Sequence, residues 1–465
     1  MKILLLNPPK FKENISIDPI LTRCTGVPSK APYLWPPIGL AYIAGYIQEI
    51  ANVKILDAQA ENLNVYQIAE KCKNFDLIVF NLGTVTADRD ISICEKIKQE
   101  TSAKIALIGQ FASYFHSDLI QNNAIDFIIR GEVEKPLYNL IKNFENSKKI
   151  KGITLKENRK IRINESESPI ENLDSCPFAS RHLLPNEKYY DILTDKKPIT
   201  FMITSRGCPY SCTFCSAKIY SKKYRYRSAE NVAKEIEIII SEGFRDISIF
   251  DDTFTINRKR VIELTNLIKD LNISWRCLSR VDTVDKEMLE KMYDSGCYQI
   301  QFGVESGDQK ILDEMKKGIT IKQIKNAFKW CNDIGIETVA FFILGHPKET
   351  KESIEKTKNL LYELKPDFAT FNLLTPLPGS EIYEALKPKE KWEKFDFTST
   401  SFCSIPSEEM ENEIGEMYRK YYLRFGYITN RIKKVHKFSD LKRIILQNIK
   451  FWVMRKGVLW RFIGK

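Results

Sequence analysis

The sequence lacks any uninterrupted apolar stretch of about 18 residues, the length that a membrane-spanning helix requires. The apolar run in MKILLLNPPK, at the start of the chain, is broken by Asn7, Pro8 and Pro9, and no cleavage-like site of a secretory signal follows it. The chain contains eleven cysteines. Without an export signal, we expect them to be reduced thiols of a cytoplasmic protein.

The body of the chain also lacks an excess of either charge. The formal net charge is +11, but residues 431–465 contain eleven Lys and Arg and a single acidic residue, Asp440, so the other 430 residues are close to neutral. The positive field therefore belongs to the C-terminal tail, and we expect no nucleic acid among the partners. The length and the apolar fraction of 43% predict two or three domains with substantial cores.

The first 150 residues alternate short apolar runs, rich in Ile, Leu and Val, with helical periodicity. Such runs are typical of strands that a parallel sheet buries on both faces. The predicted strands are 2–7, 53–57, 76–81, 104–109 and 126–130, and the predicted helices are 38–50, 64–73, 88–101 and 133–145. This order predicts a doubly wound (Rossmann-like) α/β domain over 1–150, which binds ligands at the carboxyl ends of its strands. No G-x-G-x-x-G follows the first strand, which argues against a dinucleotide.

A second β/α series follows a connector, 151–195, in which residues 152–164 are expected to form a two-stranded ribbon. The predicted strands are 199–205, 246–251, 274–279, 298–303, 338–344 and 368–374, with helices over 227–242, 257–271, 285–296, 320–334 and 350–363. This series predicts a partial (β/α)6 TIM-type barrel over 196–400, followed by a helical region over 401–465. In such barrels the chemistry gathers where the strands end.

Three cysteines, Cys208, Cys212 and Cys215, follow the first strand of this barrel at the spacing C-x3-C-x2-C. A structural zinc site normally closes with four ligands, and a disulfide would leave one thiol over. Three thiolates without a fourth nearby therefore suit a metal centre that binds something else at its open position. The other cysteines form no second tight cluster, so a single centre is expected.

Polar and glycine-rich residues also follow the other five barrel strands. They are Asp251 and Asp252, Arg280, GVESG at 303–307, GHP at 345–347 and TPLPGS at 375–380. The ends of parallel strands lie on one rim, and packing alone does not account for such a set there. We therefore expect a site at this rim.

The cysteine motif resembles the signature of radical S-adenosylmethionine (SAM) enzymes. In that family three thiolates hold three irons of a [4Fe–4S] cluster, SAM chelates the fourth iron, and an external one-electron reductant is needed. The resemblance implies that Cys208, Cys212 and Cys215 hold the cluster. It also implies SAM contacts from Phe214 at the adenine, Asp251 or Asp252 at the amino group, Arg280 at the carboxylate, Glu305 and Ser306 at the ribose, and Gly345.

A doubly wound domain before such a barrel resembles the cobalamin-binding subgroup of this family. WPPIGLAYIAGYI at 35–47, NPP at 7–9 and RGEVE at 130–134 carry the resemblance. It implies cobalamin contacts from Asn7, Pro8, Gly39, Asn81, Thr84, Gly109, Gly131 and Glu132. None of the four histidines stands in the D-x-H-x-x-G sequence of other B12 proteins. The resemblance therefore implies base-off cobalamin without a histidine below the cobalt.

The resemblance implies a C-methyltransferase that acts on an unactivated carbon of a small molecule or lipid. A 5′-deoxyadenosyl radical abstracts hydrogen, and methylcobalamin supplies the methyl group. One alternative is an oxidative cyclisation or ring rearrangement with the same cofactors. Another is a radical SAM protein whose N-terminal domain has lost cobalamin and only docks a partner. S-adenosylhomocysteine and a methylated product mark the methyltransferase, and 5′-deoxyadenosine alone marks the cyclase.

The tail at 439–465 has apolar residues at spacings of three and four, beginning with Leu441, Ile444 and Ile445, among many basic residues. One interpretation is a terminal helix that packs on the barrel and leaves a basic face in solvent. The other is an interfacial helix that lies on an anionic membrane surface, at the inner face of the membrane.

Overall fold

The computed structural model describes residues 1–10, 33–157, 160–191, 193–194, 196–386, 402–427 and 429. The tail at 431–465, predicted to form a helix, lies outside these ranges. Within them, no helix combines the length and the apolar character needed to cross a membrane.

The first 191 residues contain all of the predicted strands and helices, together with several short elements that the sequence did not predict. The strands are β1 (Lys2–Asn7), β2 (Tyr33–Leu34), β3 (Asn52–Asp57), β4 (Leu77–Asn81), β5 (Lys104–Ile108), β6 (Phe127–Ile129), β7 (Ile153–Glu157), β8 (Lys160–Ile163) and β9 (Tyr190–Asp191). The helices are α1 (Ile38–Ile47), α2 (Val65–Lys71), α3 (Ala87–Glu100), α4 (Gln110–Tyr114), α5 (His116–Leu119) and α6 (Glu134–Lys142). The predicted strands and helices are confirmed, with ends that differ by a few residues.

The first sheet has the strand order β3-β1-β4-β5-β6-β7-β8, and its first five strands are parallel. Alternate side chains of β1 point to opposite faces: Ile3 and Leu5 belong to the apolar cluster of α1 and α6, and Leu4 and Leu6 to that of α2 and α3. The strand order reverses between β1 and β4. Doubly wound domains bind their ligands at this switch point.

The ribbon predicted at 152–164 belongs to this first sheet rather than to a separate connector. Strand β7 pairs antiparallel with β6, and β8 pairs antiparallel with β7. The burial pattern explains the placement, because Ile153 and Leu155 of β7 are buried in the same apolar cluster as Ile129. The N-terminal domain therefore extends beyond residue 150.

The second half repeats a β/α order. Its strands are β10 (Ile199–Met202), β11 (Ser205–Arg206), β12 (Arg225–Tyr226), β13 (Asp246–Ile249), β14 (Ser274–Ser279), β15 (Cys297–Glu305), β16 (Glu337–Leu344) and β17 (Phe368–Leu373). Its helices are α7 (Ala229–Ser241), α8 (Arg258–Ile268), α9 (Lys286–Asp294), α10 (Gln309–Glu314), α11 (Ile321–Ile334), α12 (Lys351–Leu364), α13 (Glu381–Leu386) and α14 (Ser407–Tyr422).

Six of these strands form one parallel sheet in the order β10-β13-β14-β15-β16-β17. Each strand lies beside the one before it, as in a barrel in which each helix crosses back over the sheet. Side-chain caps begin several of these helices, and Thr320 and Thr350 form capping boxes at α11 and α12. The partial (β/α)6 arrangement is confirmed.

The first barrel strand is shorter than predicted. It ends at Met202, and Ser205 and Arg206 form a separate antiparallel ribbon with Tyr226 and Arg225. This β11–β12 ribbon closes the base of the loop at 207–224, which contains all three motif cysteines. We call this segment the cysteine loop.

Strand β17 is the edge strand of the barrel sheet, and α14 covers its outer edge. The Tyr422 hydroxyl donates to the Ala369 carbonyl and accepts from its N–H, both at 2.8 Å. The Tyr418 hydroxyl accepts from the N–H of Phe371 at 3.0 Å. These bonds satisfy backbone groups that an open sheet edge would leave unpaired.

The two domains exchange apolar side chains. Trp35, which precedes α1, lies 5.2 Å from Phe201 and 5.9 Å from Phe250 of the barrel, measured between ring centroids. Tyr383 of α13 is buried in the apolar cluster of the N-terminal domain and lies 5.7 Å from the Tyr114 ring.

A buried polar group also joins them. The hydroxyl of Tyr42 in α1 donates to the carboxylate of Glu235 in α7, at 3.0 Å and 3.1 Å to its two oxygens. Arg181 pairs with the same carboxylate at 2.7 Å. Burial, together with the Glu235 charge, raises the pKa of Tyr42 to about 12, so the hydroxyl remains a donor at neutral pH.

Candidate active site

The three motif cysteines lie together on the cysteine loop, and each is partly buried. Gly207 begins the loop with φ +83°, and a Cβ there would lie 2.3 Å from the Lys223 carbonyl oxygen, so the close return of the chain requires glycine. Burial raises the pKa of the Cys208 thiol to about 11. Burial also raises the pKa of Cys212, although nearby cations act in the opposite direction.

Two buried cations lie beside Cys212. Arg280 follows β14, and its Nη1 lies 3.9 Å from the Cys212 Sγ. Lys317 follows α10, and its charge and that of Arg280 both favour the thiolate of Cys212. This positive surrounding suits a loop that must hold anionic ligands.

Arg280 is held in place by several contacts within the protein. It donates to both carboxylate oxygens of Asp282, at 2.9 Å and 3.0 Å, and to the Lys317 carbonyl oxygen at 2.6 Å. Its guanidinium lies 3.5 Å from the ring centroid of Tyr210, which stands between the first two motif cysteines. Tyr210 therefore helps to position Arg280 beside the cysteine loop.

Glu305 ends β15 with φ +64°, a backbone conformation that is uncommon outside glycine. Its carboxylate lies 2.6 Å from Lys317 Nζ, and only 7% of the Glu305 and 8% of the Lys317 side chain are exposed. The ammonium lies 5.8 Å from the ring centroid of Phe214, which is itself buried. Lys317 thus joins two predicted site residues, although no sequence pattern singled it out.

The two neighbouring aspartates after β13 have different surroundings. The carboxylate of Asp251 is buried and accepts four hydrogen bonds of 2.5–3.0 Å from the N–H and hydroxyl groups of Thr204 and Ser205. Asp252 is only partly buried, and its charge contributes to the raised pKa of Cys208 after the larger effect of burial. Asp251 therefore fixes the strand end, and Asp252 faces the cysteine loop.

The other two predicted SAM residues use their polar groups within the protein. The Ser306 hydroxyl is buried, accepts from the Asp308 N–H at 3.2 Å and contacts the Thr357 hydroxyl at 3.3 Å. Gly345, at φ +87°, donates its N–H to the carboxylate of Glu349. Both residues shape the backbone at the strand ends.

Most of the predicted cobalamin residues lie at the carboxyl ends of the first sheet. Asn7 and Pro8 end β1, Asn81 and Thr84 follow β4, Gly109 follows β5, and Gly131 and Glu132 follow β6, whereas Gly39 lies in the first turn of α1. The Asn7 amide donates to Asp57 at 2.9 Å. Gly109 has φ +111°, and a Cβ there would lie 2.9 Å from the Leu82 carbonyl oxygen.

Glu132 contacts the barrel. Its carboxylate pairs with Arg225, with Nη1 at 3.1 Å, and lies 3.5 Å from Arg206 Nη1. Glu134, in the same RGEVE sequence, accepts from Arg206 Nη2 at 2.5 Å. Sequence patterns did not indicate these ion pairs, because each partner is far away in the chain.

Comparison with known proteins supports both domains. The family model of the Radical SAM superfamily matches residues 202–361, and that of the B12 binding domain matches residues 25–141. An uncharacterized methyltransferase of Pyrococcus horikoshii is 34% identical over 463 residues, which cover 96% of this chain and 97% of that protein. The chain belongs to the cobalamin-binding radical SAM family.

Other members of this family differ in their named reactions. The anaerobic magnesium-protoporphyrin IX monomethyl ester cyclase of Rubrivivax gelatinosus is 29% identical over 424 residues, 85% of this chain and 75% of the cyclase. The structure of the cobalamin-dependent SAM radical enzyme OxsB, with aqua-cobalamin and SAM bound, has a TM-score of 0.70 at 16% identity and covers 98% of this chain and 71% of OxsB. At that identity, the likeness concerns the fold.

This radical SAM protein is an enzyme whose cofactors are a [4Fe–4S] cluster, SAM and cobalamin, with a small-molecule substrate and an external reductant. The residues present fit these groups. No three His, Cys, Asp or Glu side chains in the described ranges converge closely enough to hold a single metal ion. A [4Fe–4S] cluster does not require that, because each thiolate binds a different iron. In the first sheet, no atom of the described residues, apart from the two chain neighbours, lies within 4 Å of a Cβ built on Gly131, so the backbone there is open to a ligand.

Proposed function

We propose that this enzyme methylates an unactivated carbon of a small molecule with a methyl group carried by cobalamin. The observation that supports the proposal is the contact between the loops of the two cofactor sites. Glu132, which follows the open Gly131, pairs with Arg225 at the base of the cysteine loop. Two cofactor sites that adjoin in this way suit a reaction in which the substrate carbon meets both.

When bound, the cluster supplies an electron, SAM the hydrogen-abstracting 5′-deoxyadenosyl radical, and cobalamin the methyl group. Cys208, Cys212 and Cys215 hold the cluster in this proposal. Arg280 or Lys317 meets the SAM carboxylate, since both are buried cations beside Cys212. Asp251 or Asp252, which both follow β13, accepts from the SAM amino group.

The remaining SAM contacts are proposed from the family resemblance. The Phe214 backbone would lie beside the adenine, and Glu305, which ends β15, and Ser306, which follows it, would meet the ribose. Gly345 gives the chain a left-handed turn at the end of β16. In the N-terminal domain, Asn7, Pro8, Asn81, Thr84, Gly109 and Gly131 are proposed to surround the cobalamin without a histidine ligand, with Gly39 supporting the site from α1.

A half-reaction tests the proposal without knowledge of the substrate. The full chain is reconstituted anaerobically with iron, sulfide and cobalamin, reduced, and given SAM with a deuterated methyl group. We expect S-adenosylhomocysteine and deuterated methyl on the bound cobalamin before any substrate is added. Formation of 5′-deoxyadenosine with no label on cobalamin would contradict methyl transfer and favour a cyclisation.

A variant without the cluster and a control variant support this test. The triple substitution of the motif cysteines by alanine removes the cluster, and with it the iron that SAM chelates in this family, so it should abolish 5′-deoxyadenosine formation. Glu287→Gln changes an exposed ion pair with Arg258 and serves as a matched control, with both half-reactions unchanged. A panel of candidate substrates, scored for incorporation of the labelled methyl group, then identifies the acceptor.

The sequence of the tail at 431–465 supports a second proposal, that the enzyme binds its substrate at a membrane surface. Its eleven basic residues and its apolar residues at helical spacing suit an interfacial helix on an anionic membrane surface at the inner face of the membrane. A lipid or membrane-held substrate would then be within reach of the barrel. Sedimentation with anionic and neutral liposomes, comparing the full chain with one that ends before Arg431, tests this. Equal sedimentation of both chains would end the membrane proposal.

A further inference from the structure

The cysteine loop is held at its base by two arginines that face the N-terminal domain. In the β11–β12 ribbon, Arg206 lies opposite Arg225, and these residues come just before and just after the cysteine loop. Arg206 donates to Glu134 at 2.5 Å, and Arg225 donates to Glu132 at 3.1 Å and through a second, shorter bond. We call these four residues the clasp.

The clasp is largely buried and electrically balanced. The exposed fractions of the side chains are 3% for Arg225, 11% for Glu132, 8% for Glu134 and 20% for Arg206. Although burial alone would raise it, the two guanidinium groups hold the pKa of Glu132 below its ordinary value. The Glu132 carboxylate is therefore held in its charged, paired form at neutral pH.

On the other side, the clasp is connected to the loops that face the cobalamin site. The Gly131 N–H donates to the Ser113 hydroxyl at 3.1 Å, and that hydroxyl donates to the Gly109 carbonyl oxygen at 2.8 Å. Glu132 comes directly after Gly131 and also accepts from the Ile170 N–H at 3.1 Å. A continuous series of short polar contacts thus runs from the end of β5 to the base of the cysteine loop.

We propose that Glu132 and Glu134 are positioning residues that fix the cysteine loop, and with it the cluster, relative to the bound cobalamin. Their role is then different from that of a cobalamin contact, which the family resemblance implied for Glu132. The proposal goes beyond the proposed reaction, because methyl transfer and cyclisation would both need the two cofactors at a fixed separation. A failure of the methylation half-reaction therefore leaves it intact.

The first test is made on the full chain without iron. Amide hydrogen exchange is followed in residues 207–224 with and without added aquacobalamin. We expect cobalamin to slow exchange of the loop in the wild type, and the Glu132→Gln/Glu134→Gln variant to bind cobalamin but lose this protection. Loss of charge-assisted hydrogen bonds at the base of the loop should speed its exchange roughly tenfold or more.

The second test measures the separation directly. In the fully loaded, reduced enzyme, pulsed electron paramagnetic resonance reports the dipolar interaction between cob(II)alamin and the reduced cluster. We expect one narrow distance distribution in the wild type and a broad one in the double variant, with iron content unchanged. The variant Arg206→Lys/Arg225→Lys keeps the charges and both glutamates, so it should keep a distribution narrower than that of the double glutamine variant. The distant Glu287→Gln should leave the distribution unaltered.

The outcomes divide clearly. Unchanged loop protection and an unchanged distance in the double variant would overturn the proposal. Loss of cobalamin binding, with loop exchange in the absence of cobalamin equal to that of the wild type, would also overturn it, because it would make Glu132 a cobalamin contact. If the double variant does not fold, the charge exchange Glu132→Arg with Arg225→Glu is used instead, and a narrow distance in that variant supports the clasp while a broad one contradicts it.

Discussion

Replacing Lys317 by methionine tests the buried ion pair at the centre of the barrel site. Lys317 Nζ lies 2.6 Å from the Glu305 carboxylate, and both side chains are less than one-tenth exposed. Removing one partner of such a pair leaves a buried charge without compensation, which costs about 3–5 kcal/mol. Methionine has a similar length and an apolar character that suits the neighbouring Phe214 ring, so loss of packing contributes little.

The double variant Lys317→Met/Glu305→Gln removes both charges, and we expect it to recover most of the lost stability. Urea denaturation of the full chain without cofactors, followed by circular dichroism at neutral pH, gives the free energies of unfolding that a double-mutant cycle compares. Lys316→Met is the matched control, because the adjacent Lys316 pairs with Glu381 at the surface, where 55% of the lysine side chain is exposed. If Lys317→Met lowered the free energy of unfolding no more than Lys316→Met, the buried ion pair would not contribute to stability, contrary to this prediction.

Three further predictions concern the cofactors and pH. Alanine at Cys208, Cys212 and Cys215 together should abolish iron binding on anaerobic reconstitution, and unchanged iron content would move the metal site to other thiols. Arg280→Ala should remove about 1.5–3 kcal/mol of interaction with SAM and so slow SAM cleavage, while the iron content stays normal. Formation of 5′-deoxyadenosine at the wild-type rate would contradict this contact. Burial raises the pKa of Glu349 to about 7 from 4.5, so its protonated form stabilises the fold below pH 4.5 and this stabilisation is lost as the pH rises towards 7. As the pH rises between these values, Glu349→Gln should therefore gain stability relative to the wild type, on the order of 3 kcal/mol in the free energy of unfolding. The same dependence of unfolding free energy on pH in both proteins would contradict the raised pKa.

Local patterns were sufficient for the order of the main strands and helices and for placing the cysteines after the first barrel strand. Buried parallel strands are continuous apolar runs, and the helices between them begin at residues such as Thr320 and Thr350, whose side chains cap the first turn. The position of the ribbon at β7 and β8 was beyond such patterns. A two-stranded ribbon has the same local signal whether it stands alone or extends a sheet, and pairing with β6 decides the matter.

The site residues that sequence reasoning missed are defined by distant partners. Lys317 follows a short helix and looks like an ordinary solvated lysine until β15 brings Glu305 to it. Asp251 and Asp252 were both predicted from the sequence, but only the neighbouring end of β10 shows that the Asp251 carboxylate accepts hydrogen bonds from Thr204 and Ser205. Arg206 and Arg225 flank the cysteine motif, but their role becomes visible only when Glu132 and Glu134 meet them.

The exchange of apolar side chains between the domains has a consequence for how the chain unfolds. Tyr383, from the end of the barrel, is buried in the core of the N-terminal domain, and Tyr42, from the N-terminal domain, is buried with Phe201 and Phe250 of the barrel. Melting either domain would expose part of the other's interior to water, at a cost in proportion to the apolar area uncovered. The two domains should therefore denature in one cooperative transition, and neither half of the chain is expected to fold when it is produced alone.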